Sequence, residues 1–139
     1  MIVVNAEEQI LGRVGTFVAK NALLGEEVRV VNCEKAVMSG KKSHIVAAYK
    51  RKREMGIPAK GPFIPRTPEQ FVKRPFRGML PYKQPKGRDA FKRILCYRGV
   101  PKEFEGKEVK TLPHANVSKL PNPTFLTVAE ICKSMGGKV

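Results

Sequence analysis

The sequence contains few of the features that mark membrane or secreted proteins. It has no run of about 18 or more apolar residues, which is the length that a transmembrane helix requires. Its first ten residues, MIVVNAEEQI, do not show the basic region followed by an apolar region that is typical of a secretory signal peptide. We therefore expect a cytoplasmic protein.

Residues that bind metals or form disulfide bonds are also scarce. The three cysteines, Cys33, Cys96 and Cys132, are far apart and form no Cys-x-x-Cys pair. The two histidines, His44 and His114, come from unrelated segments. This pattern argues against a structural zinc site and favours three reduced thiols that pack as small hydrophobic side chains. We expect no metal and no cofactor.

Two glycine-containing segments resemble nucleotide-binding loops but lack essential residues. Segment 37–43, VMSGKKS, ends like a P-loop, but Lys35 stands where that loop needs another glycine, and Lys42 separates Gly-Lys from Ser. Gly12 and Gly15 lack the Gly-x-Gly-x-x-Gly spacing of a dinucleotide site, and we expect them to permit close packing of a helix on a strand. The carboxylates form no credible acid–base pair, so we expect no enzymatic activity.

Positive charge is what the sequence has in excess, and one segment holds nearly all of it. The formal net charge is +15, from 27 basic and 12 acidic residues. Residues 41–93 contain sixteen basic and three acidic residues, and seven of the eleven prolines lie between Pro58 and Pro85. Such a charge favours a polyanionic partner, either nucleic acid or an anionic membrane.

The N-terminal third predicts a βαβ unit. Residues 2–4 and 28–32 are short β-branched runs that are typical of buried strands. Between them, apolar residues recur at helical spacing from Leu11 to Ala22, and we expect the helix to end at Gly25. The two strands should be parallel with a right-handed crossover.

The central segment predicts three helices. The first covers residues 41–56, and its apolar residues are expected to face the sheet: Ile45, Ala48, Tyr49 and Met55. After a Pro/Gly loop, Thr67 is the expected N-cap of a helix that runs toward Met79, with proline at its first position. A third helix is expected over residues 88–99, with one apolar face made of Phe91, Ile94 and Leu95.

The C-terminal region gives weaker signals. Residues 109–112, VKTL, are expected to form an edge strand. Thr127 and Glu130 form a capping box that opens a last helix, which we expect to end at Gly136. The apolar residues of that helix should be buried: Val128, Ile131, Cys132 and Met135.

The basic segment is unlike a disordered linker. It has almost no acidic residues to neutralise it, and its prolines restrict the backbone. It also contains large apolar and aromatic residues that a disordered tail would lack: Phe63, Phe71, Phe76, Met79, Leu80 and Tyr82. We expect it to recognise a folded RNA by shape, because no DNA-binding motif is present.

Several short motifs in this order resemble the large-subunit ribosomal protein 13 family. The central ones are Arg77-Gly-Met-Leu-Pro81, Lys86-Gly-Arg88, Phe91-Lys-Arg-Ile94 and Tyr97-Arg-Gly99. Those nearer the N-terminus are Leu11-Gly-Arg13, Val18-Ala-Lys20, Val30-Val-Asn32 and Ser39-Gly-Lys41. Two further stretches resemble the archaeal branch: Lys60-Gly-Pro-Phe63 and Val100-Pro-Lys-Glu-Phe104. At Tyr82 members of the family often have His or Trp instead.

The resemblance implies a three-layer α/β/α fold with a small, mostly parallel four-stranded sheet and a basic Pro/Gly-rich extension. Residues 1–139 would form one domain, in which the RNA-binding segment 41–93 is built on the βαβ core. The implied function is that of a structural constituent of the large ribosomal subunit that helps the subunit assemble. Its partners would be large-subunit ribosomal RNA and neighbouring large-subunit ribosomal proteins, with no membrane and no small-molecule substrate.

We assign RNA contacts to sixteen residues. One group of phosphate contacts lies near the first central helix: Lys41, Lys42, Lys50, Arg51 and Arg53. Just before it, Ser39 and Gly40 are expected to let the backbone approach the RNA closely. The central contact is assigned to Arg74, Arg77, Lys83, Lys86 and Arg88, with Tyr82 as a stacking platform, and it continues to Lys92 and Arg93. Arg13, which shares a helix stripe with Lys20, either touches RNA or is solvated. Met79 and Leu80 either anchor the segment to the core or meet RNA.

Two other classes of function stay open at this point. An enzyme acting on RNA or on a nucleotide would use the βαβ unit as its cofactor site and would bind mononucleotides saturably. A protein that binds anionic membranes would co-sediment with liposomes even after nuclease treatment.

Overall fold

The computed structural model describes residues 1–139 and contains five β-strands and five α-helices. In chain order they are β1 (Ile2–Asn5), α1 (Leu11–Leu23), β2 (Val28–Val31), β3 (Val37–Ser39), α2 (Lys42–Glu54), α3 (Pro68–Gly78), α4 (Pro85–Lys92), β4 (Ile94–Cys96), β5 (Phe125–Thr127) and α5 (Val128–Ser134). Strands β1, β2 and β4 form a parallel sheet with β2 in the centre, and β3 pairs with β5 in an antiparallel sheet of two strands.

The predicted βαβ unit is confirmed. Strands β1 and β2 run parallel, with Ile2 opposite Val28 and Asn5 opposite Val31. Helix α1 buries its apolar stripe against the sheet, and Gly25 follows it with a φ of +98°, a left-handed conformation that favours glycine at a helix end.

The helix predicted over residues 88–99 is wrong in its second half. Helix α4 ends at Lys92, and the next residues turn into strand β4. There Ile94 pairs with Val28 and Cys96 with Val30, in parallel register. The β-branched and apolar residues of this stretch are stabilised by a partner strand far away in sequence, and that pairing outweighs the local helical pattern.

The main sheet has three strands where four were expected. The predicted edge strand at 109–112 is reduced to a single parallel bridge between Lys110 and Val4. The backbone of Lys110 accepts a hydrogen bond from Asn5 N at 2.9 Å and donates one to Val3 O at 2.8 Å. The residue therefore covers the open edge of β1 without extending into a strand.

Helices cover one face of the main sheet only. That face, with Val4, Val28 and Ile94, joins one large apolar cluster to which all five α-helices contribute. The opposite face carries Val3 and Val31 and is covered by Phe104, in a short 3-10 turn. The implied α/β/α layering is thus incomplete, because no α-helix forms the third layer.

Most of the basic segment is folded into this architecture, and a separate Pro/Gly-rich extension is not confirmed. Residues 55–67 and the turn at 79–84 are without helix or strand, and α3 buries Phe71, Val72 and Phe76 in the core. Leu80 is buried as well, and the Met79 side chain lies where a Cβ of Gly15 would be, so both residues anchor the segment. Gly15 therefore permits close packing of α1 on α3, and not on a strand as predicted.

Helix α2 does not face the sheet as predicted. None of its residues is fully buried, and Ala48 and Met55 are exposed. The helix packs on α5 and α3 instead, and the ring of Tyr49 lies 5.0 Å from that of Phe71, centroid to centroid. The partly buried Ile45 also packs against the large apolar cluster.

The two predicted N-caps differ in their bonding. At α5 the capping box is confirmed: Glu130 N donates to Thr127 Oγ1 at 3.4 Å, and Thr127 N donates to Glu130 Oε2 at 3.2 Å. Thr67 is at the predicted N-cap of α3, but its hydroxyl makes no capping bond.

Candidate nucleic-acid interface

The basic residues of segment 41–93 make no ion pair within the protein. Four ion pairs occur within 4.0 Å, and all use cations from other parts of the chain: Met1–Glu26, Arg29–Glu27, Lys35–Glu7 and Arg98–Glu69. Sixteen cations thus lack an internal counter-charge, and an external polyanion would supply it.

Two cation–ring contacts order the surface formed by α3, α4 and the turn between them. The Nζ of Lys73 lies 4.7 Å from the ring centroid of Phe91, and the guanidinium carbon of Arg77 lies 5.1 Å from that of Tyr82. The Tyr82 side chain is 40% exposed, so part of its ring stays accessible. The structure therefore joins Arg77 and Tyr82, two of the predicted residues, into one cation–π pair.

Two shallow clefts connect this surface to α2. One, of about 180 Å³, lies between Tyr49 and Lys52 on α2 and Arg74 on α3. The other, of about 210 Å³, is lined by Lys73, Arg74 and Arg77. Because Arg74 lines both, the cations form one continuous surface. We call it the basic face and define it by Lys52, Lys73, Arg74, Arg77 and Tyr82.

Sequence reasoning did not select Lys52 and Lys73 for this face. Lys52 extends over the Tyr49 ring at 4.9 Å, and burial raises the pKa of the Tyr49 hydroxyl, which stays neutral beneath the cation. Lys73 could have been predicted from its spacing, because it lies four residues before Arg77 on the same helix and therefore on the same face.

The other predicted residues of α2, the turn and α4 are solvent-facing cations. Lys83, Lys86 and Arg88 are exposed and make no side-chain hydrogen bond or ion pair with the rest of the chain. The same holds for Lys50, Arg51 and Lys92, whereas Arg53 is partly buried. All of these cations are available to an anion outside the protein.

Three predicted arginines have bonds within the protein that the sequence did not reveal. Arg93 Nη1 donates to Ala22 O at 3.0 Å, near the C-terminal end of α1, where a cation is favourable. Arg13 Nη1 donates to His114 O at 2.8 Å, and Arg74 Nη1 donates to Phe63 O. Each arginine therefore stabilises the fold as well as carrying charge.

A second group of predicted residues lies at the start of α2. Gly40 has a φ of +132° and donates its N–H to Thr124 O at 3.1 Å. With Ser39 and Lys41 it lines a cleft of about 300 Å³ against the loop at residues 120–124. Lys41 and Lys42 stand at the N-terminal end of α2, where the helix dipole disfavours cations, so helix stability does not explain them.

The cysteines are free thiols, as predicted. The neighbouring Cys96 thiol and burial raise the pKa of Cys33, and burial raises the pKa of Cys132 to about 11. The carboxylate of Glu7 raises the pKa of Lys35 by accepting its hydrogen bond. No group of three or more His, Cys, Asp and Glu side chains comes together in a way that could hold a metal ion.

None of the helices combines the length and the apolar character that crossing a membrane would need.

Comparison with known proteins supports the resemblance seen in the motifs. The family model described as Ribosomal protein L13 matches residues 1–103. Large ribosomal subunit protein uL13 of Archaeoglobus fulgidus is 42% identical over 135 residues, which cover 96% of this chain and 86% of the relative. The proteins of the same name from Methanosarcina barkeri and Methanococcus maripaludis are 41% and 43% identical, and each match covers 99% of both chains. The chain therefore belongs to the ribosomal protein L13 family.

Proposed function

We propose that this protein binds folded large-subunit ribosomal RNA through the basic face and helps the large subunit assemble. Membership of a ribosomal protein family makes it a structural, non-enzymatic component of the cytoplasmic ribosome, as the sequence predicted. The observation that carries the RNA proposal is the set of sixteen cations in segment 41–93, none of which is paired with a carboxylate.

Within this proposal, the basic residues have two kinds of role. Exposed lysines and arginines neutralise phosphates and release counterions, which gives affinity without sequence preference. The cation–π pair of Arg77 and Tyr82 brings together two planar groups on which unstacked bases can lie. Further phosphate contacts are proposed for the start of α2 and for Arg13, Lys92 and Arg93.

Neighbouring large-subunit ribosomal proteins are the second proposed class of partner, since relatives bear the name of a large-subunit protein. Neither a membrane nor a small-molecule substrate has a place in this function. Fractionation of a cell extract by size, before and after ribonuclease, tests the assignment. The protein should co-migrate with large subunits and lose that position after digestion.

Salt-dependent binding tests the basic face. The double variant Arg77→Ala plus Arg88→Ala should bind deproteinised large-subunit RNA more weakly. Its plot of log affinity against log salt should be shallower by about 1.5–2, because two phosphate contacts are lost. The fold should survive, since both side chains are exposed.

The matched control is Lys102→Ala plus Lys133→Ala, which removes two exposed cations outside the basic segment. It lowers the net charge equally, so a purely non-specific attraction would weaken in both double variants alike. Equal behaviour of the two would contradict the placement of the RNA surface.

A further inference from the structure

The loop between α2 and α3 exposes three large apolar side chains in one pocket. Met55, Ile57 and Phe63 are 52%, 56% and 67% exposed, although soluble proteins seldom leave such residues together in solvent. They line a cavity of about 680 Å³, which lies within the range of about 300–1,000 Å³ that is usual for drug-sized ligands. We call this cavity the loop pocket.

The backbone around the loop pocket is fixed by internal contacts. Ile57 O accepts hydrogen bonds from Lys60 N at 3.1 Å and from Gly61 N at 2.9 Å. Gly56 has a φ of +77°, and a Cβ at this position would overlap the carbonyl oxygen of Gly61. The bond from Arg74 to the Phe63 carbonyl ties the far end of the loop to α3. The pocket is therefore formed before any ligand arrives.

The chemistry of the pocket lining combines a ring with cations. Arg53 and Arg66 line the cavity beside Phe63, and neither arginine has a carboxylate within 4.0 Å. Glu54 is the only acidic residue among the lining residues. A flat, largely apolar group attached to an anion complements this lining, and a nucleotide has both parts.

The loop pocket is also continuous with the basic face. Ile64 lines both the pocket and the cleft between α2 and α3, and Arg74 lines that same cleft. An RNA strand that follows the basic face can therefore reach the pocket across Ile64.

From these observations, and resting on the proposed function, we propose that the loop pocket binds an unpaired nucleotide of large-subunit RNA. The base stacks on the Phe63 ring, and the phosphates flanking it lie near Arg53 and Arg66. The pocket adds base recognition to a surface whose other contacts are mainly with phosphates.

A single-tryptophan variant tests the stacking directly. The chain has no tryptophan, so Phe63→Trp places the only indole in the pocket. Deproteinised large-subunit RNA should quench its fluorescence, whereas inorganic polyphosphate, an anion without bases, should leave it nearly unchanged at equal charge. Quenching of the same size by both polyanions would overturn the proposal.

Affinity measurements give an independent test. Phe63→Ala should weaken RNA binding by roughly 5- to 100-fold, the loss that accompanies removal of one base-stacking ring. Leu24→Ala is the control, since Leu24 is a 72% exposed apolar residue at the end of α1, outside the pocket lining. Both variants should unfold at the wild-type temperature.

The outcomes separate this inference from the proposed function. If Arg77→Ala plus Arg88→Ala weakens RNA binding but Phe63→Ala does not, the pocket proposal fails and the RNA-binding function stands. If the wild-type protein shows no salt-dependent binding to the RNA, the proposed function itself fails. If the fluorescence of the Phe63→Trp variant changes with purified large-subunit proteins but not with RNA, the proposal that a nucleotide occupies the pocket fails.

Discussion

Replacement of Gly87 by alanine should displace the turn that carries Tyr82. A Cβ on Gly87 would overlap the carbonyl group of Pro81 and would lie 2.8 Å from Tyr82 N, whereas real Cβ contacts essentially never fall below 3.0 Å. Both neighbours are backbone atoms, so no side-chain rotation relieves the overlap. Either α4 or the turn has to move, and the Tyr82 ring would shift relative to Arg77.

The magnitude follows from two opposing effects. Overpacking of this kind costs about 3 kcal/mol at the upper end of the usual range, because rigid backbone is displaced. Alanine inside a helix regains about 1 kcal/mol relative to glycine. The net loss of unfolding free energy is therefore about 2 kcal/mol, or a fall of about 6–8 °C in the melting temperature of a domain of this size. RNA affinity should fall with it.

Two other glycines provide controls of graded severity. Gly12 lies in α1, and a Cβ added to it would meet no atom within 4 Å, so Gly12→Ala should raise stability by about 0.5–1 kcal/mol. A Cβ added to Gly15 would lie 2.7 Å from Met79 Sδ, and this flexible side chain can move aside. Thermal unfolding should rank the variants Gly12→Ala, Gly15→Ala, Gly87→Ala from most to least stable. A Gly87→Ala protein as stable as Gly12→Ala would refute the reasoning.

Two further predictions concern Arg93 and Cys132. Arg93→Ala should lower the free energy of unfolding by about 1–2 kcal/mol, because it removes a charged donor from the end of α1, and denaturant titration measures this. The exposed Arg88→Ala should instead leave stability unchanged and weaken RNA binding. Burial raises the pKa of Cys132 from 9.0 to about 11, so its contribution to stability is full below pH 9 and declines as the pH rises toward 11. At pH 9 iodoacetamide should label Cys132 much more slowly in the folded than in the unfolded protein, as followed by mass spectrometry, and equal rates would contradict its burial.

The parts of the fold that could be predicted are those coded by neighbouring residues. The βαβ unit and the capping box at Thr127 and Glu130 depend on short-range periodicity and spacing, and both are confirmed. Strand β4 was missed because its partner, β2, lies far away in sequence. The residues VKTL at 109–112 predicted an edge strand, but only Lys110 pairs with the sheet.

The candidate interface was likewise predictable where it depends on local sequence and unpredictable where it depends on contacts between distant residues. The concentration of unpaired cations in segment 41–93 could be predicted by counting, but the internal bonds of Arg13, Arg74 and Arg93 could not. Their acceptors are backbone carbonyls, which every residue has, so no side-chain type in the sequence indicates them. The pairing of Arg77 with Tyr82 likewise depends on how the turn packs against α4.

Helix α3 has two faces with separate roles, which the sequence did not distinguish. Phe71, Val72 and Phe76 form the buried face of α3, and Lys73 and Arg77 project from its other side. One helix thus contributes to the core with one face and carries cations on the other. Because the buried face is packed within the protein itself, the cations are held in position without a partner, and the proposed RNA binding would lose less conformational entropy than it would for a disordered basic segment.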